Sequence, residues 1–296
     1  MNGRVTGIRE TFAIDDWNGP FDEPARGHAL AALEQGHVLY FPRLAFPFGG
    51  GEKEFLDTGL TNGKAKNISL DHHSGRLRGT SATDARAARL AAMIERFGAG
   101  ATRFVEQLLP RYAGLERART SFRPVEVEDR PYSVIKDDRL LHIDAFPSRP
   151  MQQGRRILRF FTNVAPAGSR HWEVGEPFET FARRFAPQLR PHPPGQSWLF
   201  DKLGVTHGRR SAYDEAMLSL HDAAKRDAQY QKNAPHAALI FPPGCSWLVY
   251  TDQVLHAALK GEFALEQTFH LDIEKMAEPE RAPIRVLERL IGRSLA

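Results

Sequence analysis

Cysteine is almost missing from this chain: Cys245 is the only one in 296 residues. A single thiol excludes an intramolecular disulfide framework and any zinc site built mainly from thiolates, and it is what a reducing compartment leaves behind. Long apolar runs are missing as well. Stretches such as residues 237–241 and 247–250 fall far short of the roughly 20 residues a membrane helix needs. The N-terminus, Met-Asn-Gly-Arg-Val-Thr, lacks the basic-then-apolar pattern of a signal peptide. Together these absences lead us to expect a cytoplasmic protein. There is no long basic stripe and no recognition module, so nucleic acid is not an expected partner.

Positive charge is present but unevenly spread. The whole chain carries a net +4, whereas residues 117–170 hold eleven Lys and Arg against six Asp and Glu. Arginine outnumbers lysine 31 to 9, a bias that a GC-rich genome produces by itself. The local excess still favours an anionic ligand, because the guanidinium fork matches carboxylate and phosphate.

The spacing predicts a short helix over 27–35 that feeds a strand at 37–41. Residues 83–115 show helical periodicity through Leu90, Met93, Ile94, Phe97, Val105 and Leu108, with Gly98 and Gly100 expected to split them into two helices. Beyond residue 120 the texture changes to short strands between turn residues, at 122–127, 140–146, 157–164, 237–241, 246–250, 254–259 and 263–273. Helical insertions at 177–186 and 213–231 interrupt the series. We therefore expect an α+β fold: a jelly roll, or double-stranded β-helix, buttressed by N-terminal and inserted helices. No linker is evident, so residues 1–296 read as one domain. Within it, 1–119 form a helical support region, 120–275 the jelly-roll core and 276–296 a C-terminal amphipathic helix.

Two residues in that core stand out for their chemistry. On a strand, residues two apart point the same way, so His142-Ile143-Asp144 aims an imidazole and a carboxylate into one barrel mouth. Two imidazoles and one carboxylate on one face of the ion, with open positions opposite, suit non-haem iron(II). The pair alone is a weak signal, since about half an occurrence arises by chance in such a composition. A second one does occur, at His270-Leu271-Asp272, but no histidine follows it.

Of the seven histidines after Asp144, His256 fits a third ligand best. It closes a Pro-Gly turn, an apolar strand and a polar turn, then begins another apolar strand. That segment looks like the distal-histidine strand pair of the 2-oxoglutarate-dependent oxygenases. His207 is the runner-up; His192 sits between prolines and His221 in an expected helix. Many of those enzymes place an arginine about ten residues past the distal histidine, where this chain has Glu266. Either the co-substrate is anchored from another strand, or it is not 2-oxoglutarate. Arg159, on one strand face with Phe161 and Asn163, offers a replacement; its alternative is a surface arginine.

Several segments resemble the Kdo 3-hydroxylases, which act on lipid-linked 3-deoxy-D-manno-oct-2-ulosonic acid (Kdo). They are Lys66-Asn67-Ile68-Ser69, Gly75-Arg76-Leu77-Arg78-Gly79, residues 141–147, 159–164, 170–176 and 265–271. The resemblance implies metal ligands at His142, Asp144 and His256, with Fe(II) as cofactor and 2-oxoglutarate and O2 as co-substrates. It further implies hydroxylation at C3 of Kdo on lipid A, with release of succinate and CO2. Kdo carries a carboxylate and lipid A carries phosphates, so Arg123 and Arg170 become candidates for the acidic sugar. Trp172 becomes a candidate wall, against the alternative of plain core packing. Arg159 and Asn163 are the candidates for holding the co-substrate. Arg76 and Arg78, beside His72 and His73, read as a solvated basic turn or a loop over the site.

Other readings remain open from sequence: an iron/2-oxoglutarate hydroxylase of another small acidic metabolite, a cupin-like sugar isomerase, or a non-catalytic binder of anionic glycolipid. The C-terminal segment after Pro283 places Ile284, Leu287, Leu290 and Ile291 on one helical face and Arg281, Arg285, Arg289 and Arg293 on another. Such a helix either docks on the domain or lies peripherally on an anionic membrane surface, here the cytoplasmic face of the inner membrane.

Overall fold

Short runs rich in apolar residues form most of the strands, some alternating between buried and half-exposed positions and others buried on both faces. A computed structural model of the chain describes residues 7–63, 65–128, 132–146, 150–189, 202 and 208–296. Among these, the strands are β1 (Arg9–Thr11), β2 (Val38–Phe41), β3 (Ile68–Asp71), β4 (Arg76–Arg78), β5 (Glu116–Arg123), β6 (Arg156–Asn163), β7 (Arg170–Gly175), β8 (His236–Phe241), β9 (Ser246–Tyr250), β10 (His256–Lys260) and β11 (Ala264–Leu271). The larger sheet has the order β1-β2-β9-β6-β11-β5-β3-β4, and the smaller β10-β7-β8. Pairing is antiparallel except between β1 and β2.

From β5 onward the chain crosses repeatedly between the sheets. The segment around His142 pairs with β10 beside the smaller sheet, β6 returns to the larger, β7 and β8 lie in the smaller, and β9, β10 and β11 alternate again. This is the expected double-stranded β-helix in an α+β fold. Between the sheets, Trp247 stacks on Phe241 at 4.0 Å and on Phe161 at 5.0 Å, with Trp172 edge-on at 5.6 Å. Each such aromatic contributes at least about 1.5–3 kcal/mol by leaving water. On the outer face of the larger sheet, the helices Glu23–Glu34 and Asp84–Leu108 bury Leu33, Leu90, Phe97 and Phe104 against Phe41 and Phe160.

The inner face of β6, β11 and β5 is different. There Arg159, Glu266, Thr268 and Arg123 replace apolar residues, so one half of the barrel interior is dry and the other charged. The first 119 residues supply four strands of the larger sheet as well as its helical cover.

Several expectations need correction. Residues 84–108 form one unbroken helix, not two. Gly98 lies inside it, at a place where a Cβ would come 2.4–2.7 Å from Arg117 Nη2, Thr120 Oγ1 and Gln267 Oε1. The glycine exists for close approach to β5 and β11. Residues 213–231 are two helices, Ala212–Arg226 and Ala228–Asn233, broken where Asp227 caps the second by accepting from Tyr230 N at 2.9 Å. The stretch 140–146 is extended but makes a single bridge, at His142. Strand β7 is not among the expected strands, although Arg170, Trp172 and Val174 are buried in alternation with the half-buried His171 and Glu173.

The C-terminal helix Pro283–Ile291 docks its apolar face on the domain: Ile284, Val286 and Leu287 are buried, and Leu295 O accepts from Tyr213 N at 3.0 Å. Its arginines are also engaged, Arg281 by Glu278, Arg285 by Glu288 and Arg289 by Glu280. The apolar face of the helix is therefore taken up by the domain, while Arg293 is exposed. No helix among the described residues is long and apolar enough to cross a bilayer.

Candidate metal centre

Histidine is held by backbone at two places in the barrel mouth. His142 N donates to His256 O at 3.1 Å, and His256 N donates to His142 O at 2.9 Å, so the two residues form one antiparallel bridge. Two residues on, Asp144 N donates to Thr251 O at 2.7 Å in the turn between β9 and β10. That turn is itself fixed by a buried pair: Arg156 holds Asp252 through Nε at 2.7 Å and Nη2 at 3.1 Å, and also reaches Gln253 Oε1 at 2.7 Å.

The side chains of His142, Asp144 and His256 converge so that one ligand atom from each lies within 4.8 Å of the others. His142 Nδ1 contacts Leu140 O at 2.7 Å and His256 Nδ1 contacts Val254 O at 2.9 Å. A carbonyl can only accept, so each Nδ1 carries the proton and each Nε2 presents a lone pair. Burial pushes the pKa of His142 well below its ordinary value, with further lowering by the charge of Lys225. Burial likewise lowers His256. Both rings are therefore neutral at pH 7, the form a metal needs. For Asp144, burial alone would raise the pKa, but the Arg159 guanidinium beside it outweighs that and holds the carboxyl below the usual range.

Asp144 Oδ2 is buried without a hydrogen-bond donor in suitable geometry; Arg159 Nη2 approaches it at 2.8 Å as an ion-pair contact only. Two neutral Nε2 atoms and an incompletely satisfied carboxylate facing one point form a donor set that fits a divalent cation. His207, the other candidate, lies outside the described residues, as does His192. His221 meets the His142 ring edge-on at 5.6 Å without joining the donor set, and His270 pairs with Glu116 instead.

A cavity of about 200 Å³ opens on this set. Arg123, Arg159 and Arg170 line it, as expected, and so do Phe161 and Trp172. Trp172 stacks on His256 at 5.2 Å while packing into the inter-sheet core, so wall and core packing are one role here. Glu266 is buried on β11 and accepts from Arg123 Nε at 2.6 Å and from Arg159 Nη1 at 2.9 Å. Burial would raise its pKa, yet Arg123 and Arg159 keep it low. The acid at the position expected for an arginine thus holds two arginines that neighbouring strands deliver.

Asn163 does not line the cavity, contrary to expectation. Its amide donates to Phe241 O at 2.9 Å and Gly168 O at 3.2 Å and accepts from Ala165 N at 3.0 Å, which commits it to the turn after β6. Sequence reasoning gave no role to Lys66, Asn67 or Asp138, all of which line the cavity. For Lys66-Asn67 the signal was present as one of the segments carrying the family resemblance. Asp138 gave none beyond an acidic pair ahead of residue 142.

A double-stranded β-helix with two histidines and one aspartate at its mouth defines a non-haem iron oxygenase site. The chain belongs to the family of 3-deoxy-D-manno-oct-2-ulosonic acid (Kdo) hydroxylases, which it matches over residues 16–294. It is similar to a solved structure of the Kdo hydroxylase KdoO, a non-haem Fe(II) α-ketoglutarate-dependent dioxygenase, in complex with α-ketoglutarate and Fe(III). Identity is 42%, each chain is covered to 98%, and the TM-score is 0.94. The cobalt(II) complex of KdoO gives 43% identity, 98% and 97% coverage and a TM-score of 0.95. Its complex with succinate and Fe(III) gives 43%, the same coverage and 0.93. No curated protein matches the chain.

Proposed function

We propose that this protein is an Fe(II)- and 2-oxoglutarate-dependent dioxygenase that hydroxylates C3 of Kdo on lipid A. 2-Oxoglutarate, O2 and the sugar C–H are converted to succinate, CO2 and the hydroxylated sugar. The observation that carries the reading is the convergence of His142, Asp144 and His256 in a chain of this family. These three residues would hold the iron through Nε2, a carboxylate oxygen and Nε2. Bound iron with 2-oxoglutarate supplies the oxidising power; the protein contributes orientation and electrostatics.

The chain's own contribution follows from the cavity. Arg123, Arg159 and Arg170 give three guanidinium groups in one site, enough to take the far carboxylate of the co-substrate and the carboxylate of the sugar. We assign Arg159 to the co-substrate, because it also touches Asp144, and Arg123 and Arg170 to the sugar. Trp172 and Phe161 form the apolar wall that keeps water from the reacting carbon. Work on a lipid-linked sugar places the enzyme at an anionic membrane surface. The support for that contact is the chemistry of the substrate, and the C-terminal helix adds none.

The test is anaerobic Fe(II) loading, then addition of O2 and 2-oxoglutarate, with mass spectrometry of Kdo-lipid A. We expect one added oxygen per sugar product and one succinate released. His142→Ala, Asp144→Ala and His256→Ala should each abolish it while leaving circular dichroism unchanged. Added Co(II) should raise the melting temperature of the parent protein but not of these variants; at 100 times Kd the stabilisation is about 2.7 kcal/mol. Full activity in His256→Ala would move the third ligand elsewhere.

A further inference from the structure

Arginines and aromatics make up two walls of the metal cavity, but a third wall has a different chemistry. It consists of Lys66, Asn67 and Asp138. Lys66 Nζ donates to Asp138 Oδ2 at 3.0 Å and to Lys136 O at 2.6 Å, and it lies 4.1 Å from the Tyr132 ring centroid. The ammonium is thus locked, and it locks the carboxylate of Asp138 at the cavity edge.

Asn67 is held just as firmly, by backbone. Gly79 has φ +82°, and a Cβ there would lie 2.3 Å from Asn67 O, so only glycine lets the end of β4 run against this residue. The Asn67 side chain has its Oδ1 buried and without a hydrogen-bond partner. If the amide were turned over, a donor would be left unmet at the same point. Across the cavity Arg159 Nε is in the same condition, a buried donor with no acceptor. Asn67 and Arg159 also both line the adjoining groove of about 300 Å³. Buried polar atoms are rarely left unpaired unless a ligand or water completes them.

We infer that Asn67 and Asp138 form the subsite that reads hydroxyl groups of the sugar, and that Asn67 determines specificity for a polyhydroxylated acid over a plain one. A polyol supplies what this wall requires, a donor and an acceptor on one oxygen; carboxylates supply acceptors only. The inference rests on the proposed acidic-sugar substrate and deepens it. It also explains the Lys66-Asn67 and Gly79 segments as one device: Lys66 sets Asp138, Gly79 sets Asn67.

The experiment uses the full chain loaded with Fe(II) and Kdo-lipid A in detergent. It measures KM for the sugar and KM for the co-substrate separately, and the ratio of hydroxylated sugar to succinate. Asn67→Ala should raise the sugar KM about ten-fold, the loss expected for one such hydrogen bond. It should lower the product ratio and leave the co-substrate KM and the Co(II) affinity unchanged. A deoxy analogue lacking the hydroxyl that Asn67 meets should show no difference between parent and variant. Asn67→Ser, which keeps a small polar group, should fall between the two and serves if the alanine variant is unstable. An unchanged sugar KM in a folded variant overturns the inference, as does a rise confined to the co-substrate. If the parent consumes 2-oxoglutarate but never hydroxylates Kdo-lipid A, the substrate reading fails instead. The subsite is then judged by whether Asn67→Ala still discriminates between other hydroxylated acids and their deoxy forms.

Discussion

Replacing Gly98 by alanine should destabilise the protein, although helix propensity alone says the reverse. In a helix interior, alanine is favoured over glycine by about 1 kcal/mol. Against this stands the environment of the new methyl group, 2.4 Å from Arg117 Nη2, 2.5 Å from Thr120 Oγ1 and 2.7 Å from Gln267 Oε1. The arginine end can swing away. Thr120 cannot, because it is fixed in β5, and its hydroxyl donates to Gln267 Oε1 at 2.6 Å in a fully buried pair. Overpacking costs about 1–3 kcal/mol, and breaking that buried hydrogen bond about 1–3 more. After the gain of about 1 kcal/mol in helix propensity is set against these costs, the net loss is about 1–5 kcal/mol.

Gly100, half a turn on, is the control: a methyl there meets only Trp17, at 3.6 and 3.8 Å, which is ordinary contact. Gly100→Ala should gain about 0.5–1 kcal/mol. Thermal unfolding followed by circular dichroism reads both, at roughly 2–4 °C per kcal/mol for a large domain. Because β5 also carries Arg123, a Gly98→Ala protein should show a raised sugar KM. A Gly98→Ala variant as stable as Gly100→Ala would refute the close-approach argument.

Two further outcomes follow from the site and the tail. Arg159→Ala should raise the co-substrate KM ten-fold or more, since a charge-assisted carboxylate contact is worth about 1.5–3 kcal/mol; an unchanged KM in steady-state assays would shift the anchor to Arg170 or Arg123. A chain ending at Glu280 should aggregate or melt far below the parent, because Ile284, Val286 and Leu287 leave the core; a monodisperse, cooperatively melting truncation would show that the tail is dispensable.

What was legible in the sequence is what short-range periodicity encodes. His142 and Asp144 are two apart, and the turn-strand pattern before His256 is local, so the donor set could be read before any pairing was known. The swap of Glu266 for arginine was visible, but not its meaning, which depends on Arg123 and Arg159 arriving from the two strands beside β11. Asn163 misled for the same reason: strand alternation gives a face, whereas the amide is claimed by Gly168 O and Phe241 O in a turn. Gly98 looked like a helix breaker because the sequence does not show that a sheet lies against it. Lys66 and Asn67 reach the site because β3 pairs with β5, and Asp138 because its carbonyl accepts from Ala258 N on β10 at 2.8 Å, neither of which a local pattern foretells.

The mutual backbone bridge between His142 and His256 has a consequence for how such a protein lives with its metal. The two rings are set by each other's main chain and by carbonyls of Leu140 and Val254. The protein's own backbone therefore orients the donor atoms that the ion meets. The same rigidity removes a means of refusing the wrong ion, since zinc outranks iron(II) at most nitrogen and oxygen sites. Selection is left to whichever metal the cell keeps within reach.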